Sequence, residues 1–209
     1  MSGIGLYFHV PFCRRKCSYC NFYSAPATPE QMAAYTEAVC RNLRHYTSNT
    51  VADTLYFGGG TPSLLAPEQL EQILACAAAC FSIPPDAEIT LEANPATLTP
   101  ENLRRLRAAG VNRLSLGVQS LSDAQLRRLG RMHTAQEALD TGAGFRNISC
   151  DVMLALPKQT PAELSETLEQ MAQLPIQHIS AYLLKIESGT PFARQHAEQE
   201  CPDEDTAAD

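Results

Sequence analysis

The sequence lacks a surplus of basic residues, an apolar run of membrane length and a secretory leader. Lysine and arginine number 16 against 23 aspartates and glutamates, which gives a net charge of −7. This balance disfavours a general phosphate-binding surface, so we expect no nucleic-acid partner. No apolar stretch approaches the roughly 20 residues of a membrane span. Residues Met1–Gly3 lead directly into an apolar segment without the basic region of a signal peptide, which predicts a cytoplasmic protein.

Disulfide bonds are also not expected here, although the chain contains eight cysteines. Without a secretory signal, the cysteines indicate a reducing compartment, where thiols stay free. Most of them are scattered, and Cys76 and Cys80 lie four residues apart, on one face of a predicted helix. We therefore expect these two, with Cys40 and Cys150, to be small residues of the core.

The remaining feature is a cysteine triplet of the form C-x3-C-x2-C near the start of the chain. Cys13, Cys17 and Cys20 provide thiolates for three irons of a [4Fe-4S] cluster, whereas electron-transfer clusters use four cysteines. The fourth iron is then free to bind a small molecule. A Cys3His zinc site completed by His9 is the alternative on spacing alone. The basic residues Arg14–Lys16 indicate either a solvated loop or cations that offset the cluster's charge.

The rest of the chain alternates short strand-like runs with helical patterns. Repeated Thr-Pro pairs mark helix starts, and Ser122 with Gln125 indicates a further capping box. Six such strand–helix units predict parallel strands joined by right-handed crossovers. Six units fall short of the eight of a closed barrel. We therefore expect an α/β fold, a partial (βα)6 barrel open on one side, with an open doubly wound sheet as the alternative.

The domain organisation follows from a change in composition near residue 186. We assign residues 1–186 to the core domain. Residues 187–209 are expected to form an acidic linker or the start of a truncated C-terminal domain, because the last part of the segment is polar and acidic.

Polar and glycine residues fall at the predicted strand ends, where parallel α/β folds collect their reactive groups. Gly58–Gly60 follows the second strand and allows backbone to approach a ligand closely. Glu92 ends the third strand and Gln119 the fourth. Asp151 lies among apolar residues of the fifth strand and needs a partner, for which Arg131 is our choice unless both contact a ligand.

The chain resembles the HemN/HemW branch of the radical SAM proteins, the oxygen-independent coproporphyrinogen III oxidase family. This resemblance implies a partial barrel, a [4Fe-4S] cluster and S-adenosylmethionine (SAM). The segments that carry it span nearly all of residues 4–191: Tyr7–Cys13, the cysteine triplet, Gly58–Pro62, Leu91–Pro95, Gly117–Ser120, Leu156–Thr160 and Glu187–Pro191.

The resemblance also assigns site residues. It implies that Cys13, Cys17 and Cys20 hold the cluster. The positions that match those lining the SAM site are Tyr7, Gly59, Gly60, Thr61 and Glu92. The positions that match contacts of a second SAM or its neighbourhood are Tyr19, Gln119, Arg131 and Asp151. No residue is assigned a catalytic role.

Phe22 separates the two activities that the resemblance implies. The oxidases resemble the pattern C-x3-C-x2-C-x-C, and Phe22 occupies the position of its fourth cysteine. The oxidases also carry a longer N-terminal region. Both departures favour the branch that binds haem and delivers it to acceptor proteins over SAM-dependent decarboxylation of coproporphyrinogen. The ligand that the resemblance implies is haem or porphyrin. The partners that it implies are an electron donor such as flavodoxin or ferredoxin and a haem-acceptor protein, through which the chain would contact a membrane peripherally. The sequence singles out no haem ligand among its five histidines.

Overall fold

The protein forms one parallel sheet in the computed structural model, which describes residues 3–46, 50–141 and 144–208. Six strands lie side by side in the order in which they occur along the chain. Every neighbouring pair is parallel. The strands are β1 Ile4–Val10, β2 Ala52–Gly59, β3 Glu88–Ala93, β4 Arg113–Gln119, β5 Ile148–Leu154 and β6 His178–Leu183.

This strand order decides between the two folds predicted from the sequence. A doubly wound sheet reverses its strand order at a switch point, where the chain returns to the middle of the sheet. Here the order runs from β1 to β6 without reversal, as the strands of a barrel do. The predicted α/β partial barrel of six parallel strands is therefore confirmed, and the doubly wound alternative is wrong.

Helices follow the strands, and most begin at the residues that the sequence indicated. Thr28 and Thr160 each form a reciprocal capping box, with Gln31 and Glu163 respectively. At Ser122 only half of the predicted box forms, because the Gln125 side chain is buried instead of reaching back to the cap. The helices are α1 Pro29–His45, α2 Pro67–Cys80, α3 Pro100–Ala108, α4 Asp123–Arg128, α5 Ala135–Asp140, α6 Pro161–Ala172, α7 Pro191–Arg194 and α8 Glu204–Ala208.

The main core lies between the outer face of the sheet and the helices. Alternate residues of each strand face the helices, and Leu55, Phe57 and Leu91 of this set have no exposed surface. They pack in one cluster with the inner stripe of α2, which includes Leu70 and Ile73. Cys40, Cys80 and Cys150 are buried in it as predicted, whereas Cys76 is only half-buried.

The inner face of the sheet carries polar residues at the alternate positions. Tyr56, Glu92 and Asp151 each occupy such a position on β2, β3 and β5, and all three are half-buried. A closed eight-stranded barrel fills this space with branched apolar side chains. The concave face of this open sheet is instead lined with groups suited to hold a polar ligand.

The last strand and the residues after it differ in their packing. β6 forms one edge of the sheet and leaves Tyr182 and Leu183 more than half exposed. The following segment returns to the cysteine loop, where the Phe192 amide donates to the Ser18 carbonyl at 3.0 Å and the Phe192 side chain is buried. The domain boundary at residue 186 stays a prediction. No helix in the described part of the chain is long and apolar enough to cross a membrane.

Candidate functional site

The cysteine loop lies at the carboxyl end of β1, between that strand and α1. It is closed by backbone hydrogen bonds, from the Cys13 amide to the Ala25 carbonyl at 3.1 Å and from the Cys20 amide to the Cys17 carbonyl at 3.2 Å. The Ser18 amide donates to the Leu129 carbonyl at 2.9 Å, which attaches the loop to the segment after α4. The loop is therefore positioned over the open ends of the strands.

Two of the three thiols of this loop lie beside side chains from later parts of the chain. The Cys13 Sγ is 3.5 Å from the Thr61 Oγ1, and the Arg131 Nη1 is 3.7 Å from the Cys17 Sγ. Partial burial raises the pKa of Cys20, and the two neighbouring thiols add to this rise.

The surroundings of His9 bear on the zinc alternative. Its Nδ1 lies 3.2 Å from the Tyr7 hydroxyl and its Nε2 lies 3.1 Å from the Tyr23 carbonyl, so both ring nitrogens have protein partners. Across residues 3–46, 50–141 and 144–208, no three His, Cys, Asp or Glu side chains form a group that could hold a metal ion. One zinc ion draws its thiolates to about 2.3 Å, whereas in a cluster each thiolate binds a separate iron. For His9 to complete a zinc site, its ring would have to give up one of these two contacts.

The glycine run after β2 forms a backbone cradle beside the cysteine loop. Gly59 has a φ of +113°, and a Cβ at this position would lie 2.7 Å from the His9 ring. A Cβ at Gly60 would lie 2.5 Å from the Phe12 carbonyl oxygen. The Thr61 amide donates to the same carbonyl at 2.7 Å. Only glycine fits this approach, so the run does more than end a strand.

Glu92 joins this cradle to the neighbouring strand. Its carboxylate accepts hydrogen bonds from the Tyr56 hydroxyl at 2.8 Å and from the Gly59 amide at 3.1 Å. Burial raises the pKa of Glu92, and the two hydrogen bonds oppose the rise. The ring of Tyr7 stacks on that of Tyr56 with centroids 6.0 Å apart. Tyr7, Gly59 and Glu92 therefore lie close together around Tyr56, while their assignment to one ligand stays a prediction.

Three of the four residues assigned to a second ligand, Tyr19, Gln119 and Arg131, lie near Cys17 or Gly117. Arg131 donates to the Gly117 carbonyl as well as approaching Cys17. Gln119 has a φ of +71° at an irregularity in the pairing of β4 with β5, and such strain is often found at functional sites. The side-chain Nε2 of Gln119 would lie 3.1 Å from a Cβ at Gly117, beside the Arg131 guanidinium. Burial raises the pKa of Tyr19, which also neighbours Cys17.

The carboxyl edge of the sheet thus brings the cysteine triplet and a glycine cradle together. A profile of the Radical SAM superfamily matches residues 7–171 of this sequence.

This chain belongs to the radical SAM superfamily.

Its relatives agree with the resemblance seen in the sequence. It is 36% identical over 97% of its length to the heme chaperone HemW of Lactococcus lactis subsp. lactis, and 40% identical over 98% to mitochondrial radical S-adenosyl methionine domain-containing protein 1 of Mus musculus. The chain covers 55% and 48% of these two relatives, about half of their length. The coproporphyrinogen III oxidase HemN from Escherichia coli superposes with a TM-score of 0.89 at 27% identity, over 99% of this chain and 50% of that one. The HemW-type resemblance is confirmed.

The partner of Asp151 in this radical SAM chain differs from the one predicted. Asp151 does not pair with Arg131, which lies at the cysteine loop. Burial raises the pKa of Asp151 to about 6, and the nearby charge of Glu92 adds to the rise. A hydrogen bond from Ser180 and the charge of Arg113 act in the opposite direction. The sequence pattern did not predict these neighbours of Asp151, because Arg113 and Ser180 come from the strands on either side of β5.

We expect Asp151→Asn to stabilise the protein at pH 7.5 but not at pH 4. The folded pKa lies above the ordinary value of 3.8, so the wild type loses stability as pH rises from about 4 through about 6. Asparagine does not titrate, and the gain should reach about 1–3 kcal/mol above pH 7. Urea unfolding at several pH values measures this gain in the free energy of unfolding, and the exposed Asp86→Asn is the control. A gain independent of pH would contradict the buried-carboxylate account.

Some residues of the site carried no signal in the sequence. Tyr56 is an ordinary aromatic residue of a strand by pattern, yet it binds Glu92. His133 is buried, with its Nδ1 3.1 Å from the Asn94 Oδ1 and its Nε2 3.1 Å from the Val118 carbonyl. Burial and the charge of Arg131 lower the pKa of His133 to about 4. His133 thus joins the ends of β3 and β4, which only the folded chain brings together.

Proposed function

We propose that this chain is a radical SAM protein of the HemW type that binds haem and delivers it to acceptor proteins. In this proposal Cys13, Cys17 and Cys20 hold a [4Fe-4S] cluster that leaves one iron for SAM. The observation that carries the cofactor assignment is the contact between the cysteine loop and the glycine cradle, through Thr61 and the Phe12 carbonyl. When bound, the cluster would supply one-electron chemistry to SAM, with an electron donor such as flavodoxin or ferredoxin as its source.

The residues around the cradle suit the charges of SAM. Its methionine part carries an ammonium and its sulfur is cationic, so carboxylates favour its binding. Glu92 lies at the cradle and Asp151 lies near enough to influence it electrostatically. The glycine backbone admits the ligand without a side chain in the way. Thr61 would contact the same ligand, and Tyr7 would cover it from the exposed side of the sheet.

Most of the second set of residues lies beside Cys17 and Gly117. Arg131 would contact the Cys17 Sγ and hold the end of β4 through the Gly117 carbonyl. Gln119 and Tyr19 flank the same position. We propose that these residues, with Asp151, border a second ligand or support the first cofactor from below.

Haem binding is the finer part of the proposal. It rests on relatives that are named heme chaperones and on Phe22, which replaces the fourth cysteine of the oxidase pattern and is 67% exposed. The second candidate is an oxygen-independent coproporphyrinogen III oxidase, favoured by the close superposition on HemN. We prefer the chaperone because relatives named heme chaperone HemW match this sequence at 36% identity and because Phe22 replaces the fourth cysteine of the oxidase pattern.

We expect the reconstituted chain to bind haem and to show little or no decarboxylation of coproporphyrinogen III. Phe22 cannot supply the thiolate of the oxidase pattern, and a radical reaction needs a site closed to water. The Soret band during anaerobic haem titration measures binding, and product analysis with SAM and reductant measures turnover. HemN from Escherichia coli serves as the positive control. Robust formation of protoporphyrinogen IX would establish the oxidase instead.

A further inference from the structure

Three thiols lie at the contact between α1 and α2, away from the cysteine loop. Cys40 belongs to α1, whereas Cys76 and Cys80 lie one turn apart on α2. Cys40 and Cys80 are buried in the main core, and the half-buried Cys76 packs against it. The proposed function uses none of these residues. A free cysteine packs like any small apolar residue, so what sets this contact apart is the reactivity of its thiols.

Cys40 and Cys76 face each other across this helix contact. The Cys76 thiol donates to the Cys40 backbone carbonyl at 3.3 Å, and the two thiols are within hydrogen-bonding reach of each other. The Cys40 thiol lies 3.8 Å from the carbonyl oxygen of Gln72, one turn before Cys76 on α2. Each thiol is thus directed at the opposite helix. A disulfide bond requires side chains that face each other in this way.

The surroundings of Cys76 determine how fast it reacts. Burial raises the pKa of Cys76 to about 11, the neighbouring thiols of Cys40 and Cys80 add to this rise, and the charge of Arg44 opposes it. Since the thiolate is the reactive form, the pair oxidises slowly near neutral pH and faster as the pH rises. In the reducing compartment that the sequence predicts, both residues rest as thiols. A strong two-electron oxidant that reaches the half-buried Cys76 would change this state.

We infer that Cys40 and Cys76 form a thiol oxidation site, which closes to a disulfide between α1 and α2 when hydrogen peroxide reaches Cys76. In the first step the Cys76 sulfur attacks one peroxide oxygen, the O–O bond breaks, and a sulfenic acid and one water form. In the second step the Cys40 sulfur attacks the Cys76 sulfur, the S–O bond breaks and a second water leaves. The two thiols together lose two electrons and two protons, and the peroxide is reduced to water.

This disulfide would join the helices that follow the two halves of the proposed site. In the chain, α1 comes after the cysteine loop and α2 comes after the glycine cradle. A crosslink between residues so far apart in sequence restricts the unfolded chain, so the oxidised form should resist unfolding better than the reduced form. The inference goes beyond the proposed function, because it requires neither a cluster nor haem.

The test treats the whole chain with hydrogen peroxide and maps disulfides by mass spectrometry of peptides that have not been reduced. We expect a crosslink between the Cys40 and Cys76 peptides, which dithiothreitol reverses. Its rate of formation should rise about tenfold per pH unit below the Cys76 pKa of about 11, as the thiolate fraction does. Urea unfolding should show a higher midpoint before dithiothreitol treatment than after it.

Two variants of the same helix separate this pair from the third thiol. Cys76→Ala should abolish the crosslink and the rise in the urea midpoint, whereas Cys80→Ala, the matched control, should keep both. The peptide map distinguishes this crosslink from any that forms within the cysteine loop, so the result does not depend on cluster binding. Oxidation of Cys76 to a sulfinic acid while Cys40 stays a free thiol would overturn the inference. So would a wild-type crosslink to Cys80 in place of the expected one, or a Cys76 that peroxide leaves unmodified.

Discussion

The chain with Cys13→Ser, Cys17→Ser and Cys20→Ser is expected to lose nearly all bound iron after anaerobic reconstitution. A [4Fe-4S] cluster should give the wild type about four irons per chain, and serine hydroxyls do not replace the thiolates that hold it. The three thiols lie in one loop that hydrogen bonds close on itself. Iron analysis measures the loss of iron. The visible absorbance from sulfur-to-iron charge transfer measures the loss of the cluster.

The matched control is Cys201→Ser, since Cys201 is half-buried like the triplet but lies in the C-terminal segment. We expect this variant to retain its iron. Thermal unfolding of the apo forms shows whether the triple variant still folds. If the folded triple variant bound as much iron as the wild type, the cluster assignment would be wrong.

Gly59→Val is expected to weaken SAM binding by about tenfold or more, which corresponds to at least about 1.4 kcal/mol. Valine at a φ of +113° is strained, and its Cβ would meet the His9 ring at 2.7 Å. The strain would also disturb the hydrogen bond from the Gly59 amide to Glu92. Equilibrium dialysis with the cluster-loaded protein measures the affinity.

Gly189→Val is the control for this change, because Gly189 also has a positive φ, of +79°, but a Cβ there meets nothing within 4 Å. It reports the cost of backbone strain away from the site. Iron content should stay near that of the wild type in both variants, since neither glycine holds the cluster. Unchanged SAM affinity in Gly59→Val would place the SAM site elsewhere.

The sequence predicted the strands, the helix starts and the cysteine triplet because these depend on local patterns. The glycine run and Glu92 were found because parallel strands place their carboxyl ends at one edge. The family resemblance added residues such as Gln119 and Arg131, which local pattern alone left as structural.

Pairing between distant residues was decided only by the tertiary structure. Asp151 was assigned to Arg131, but the flanking strands β4 and β6 place Arg113 and Ser180 beside it, and Arg131 lies at the cysteine loop. Tyr56 gave no signal, because its role depends on the register of β2 against β3. The sequence by itself determined the parallel open barrel and the position of its thiols. The fold decided which charges surround them, since electrostatic neighbours in a parallel sheet come from separate strands.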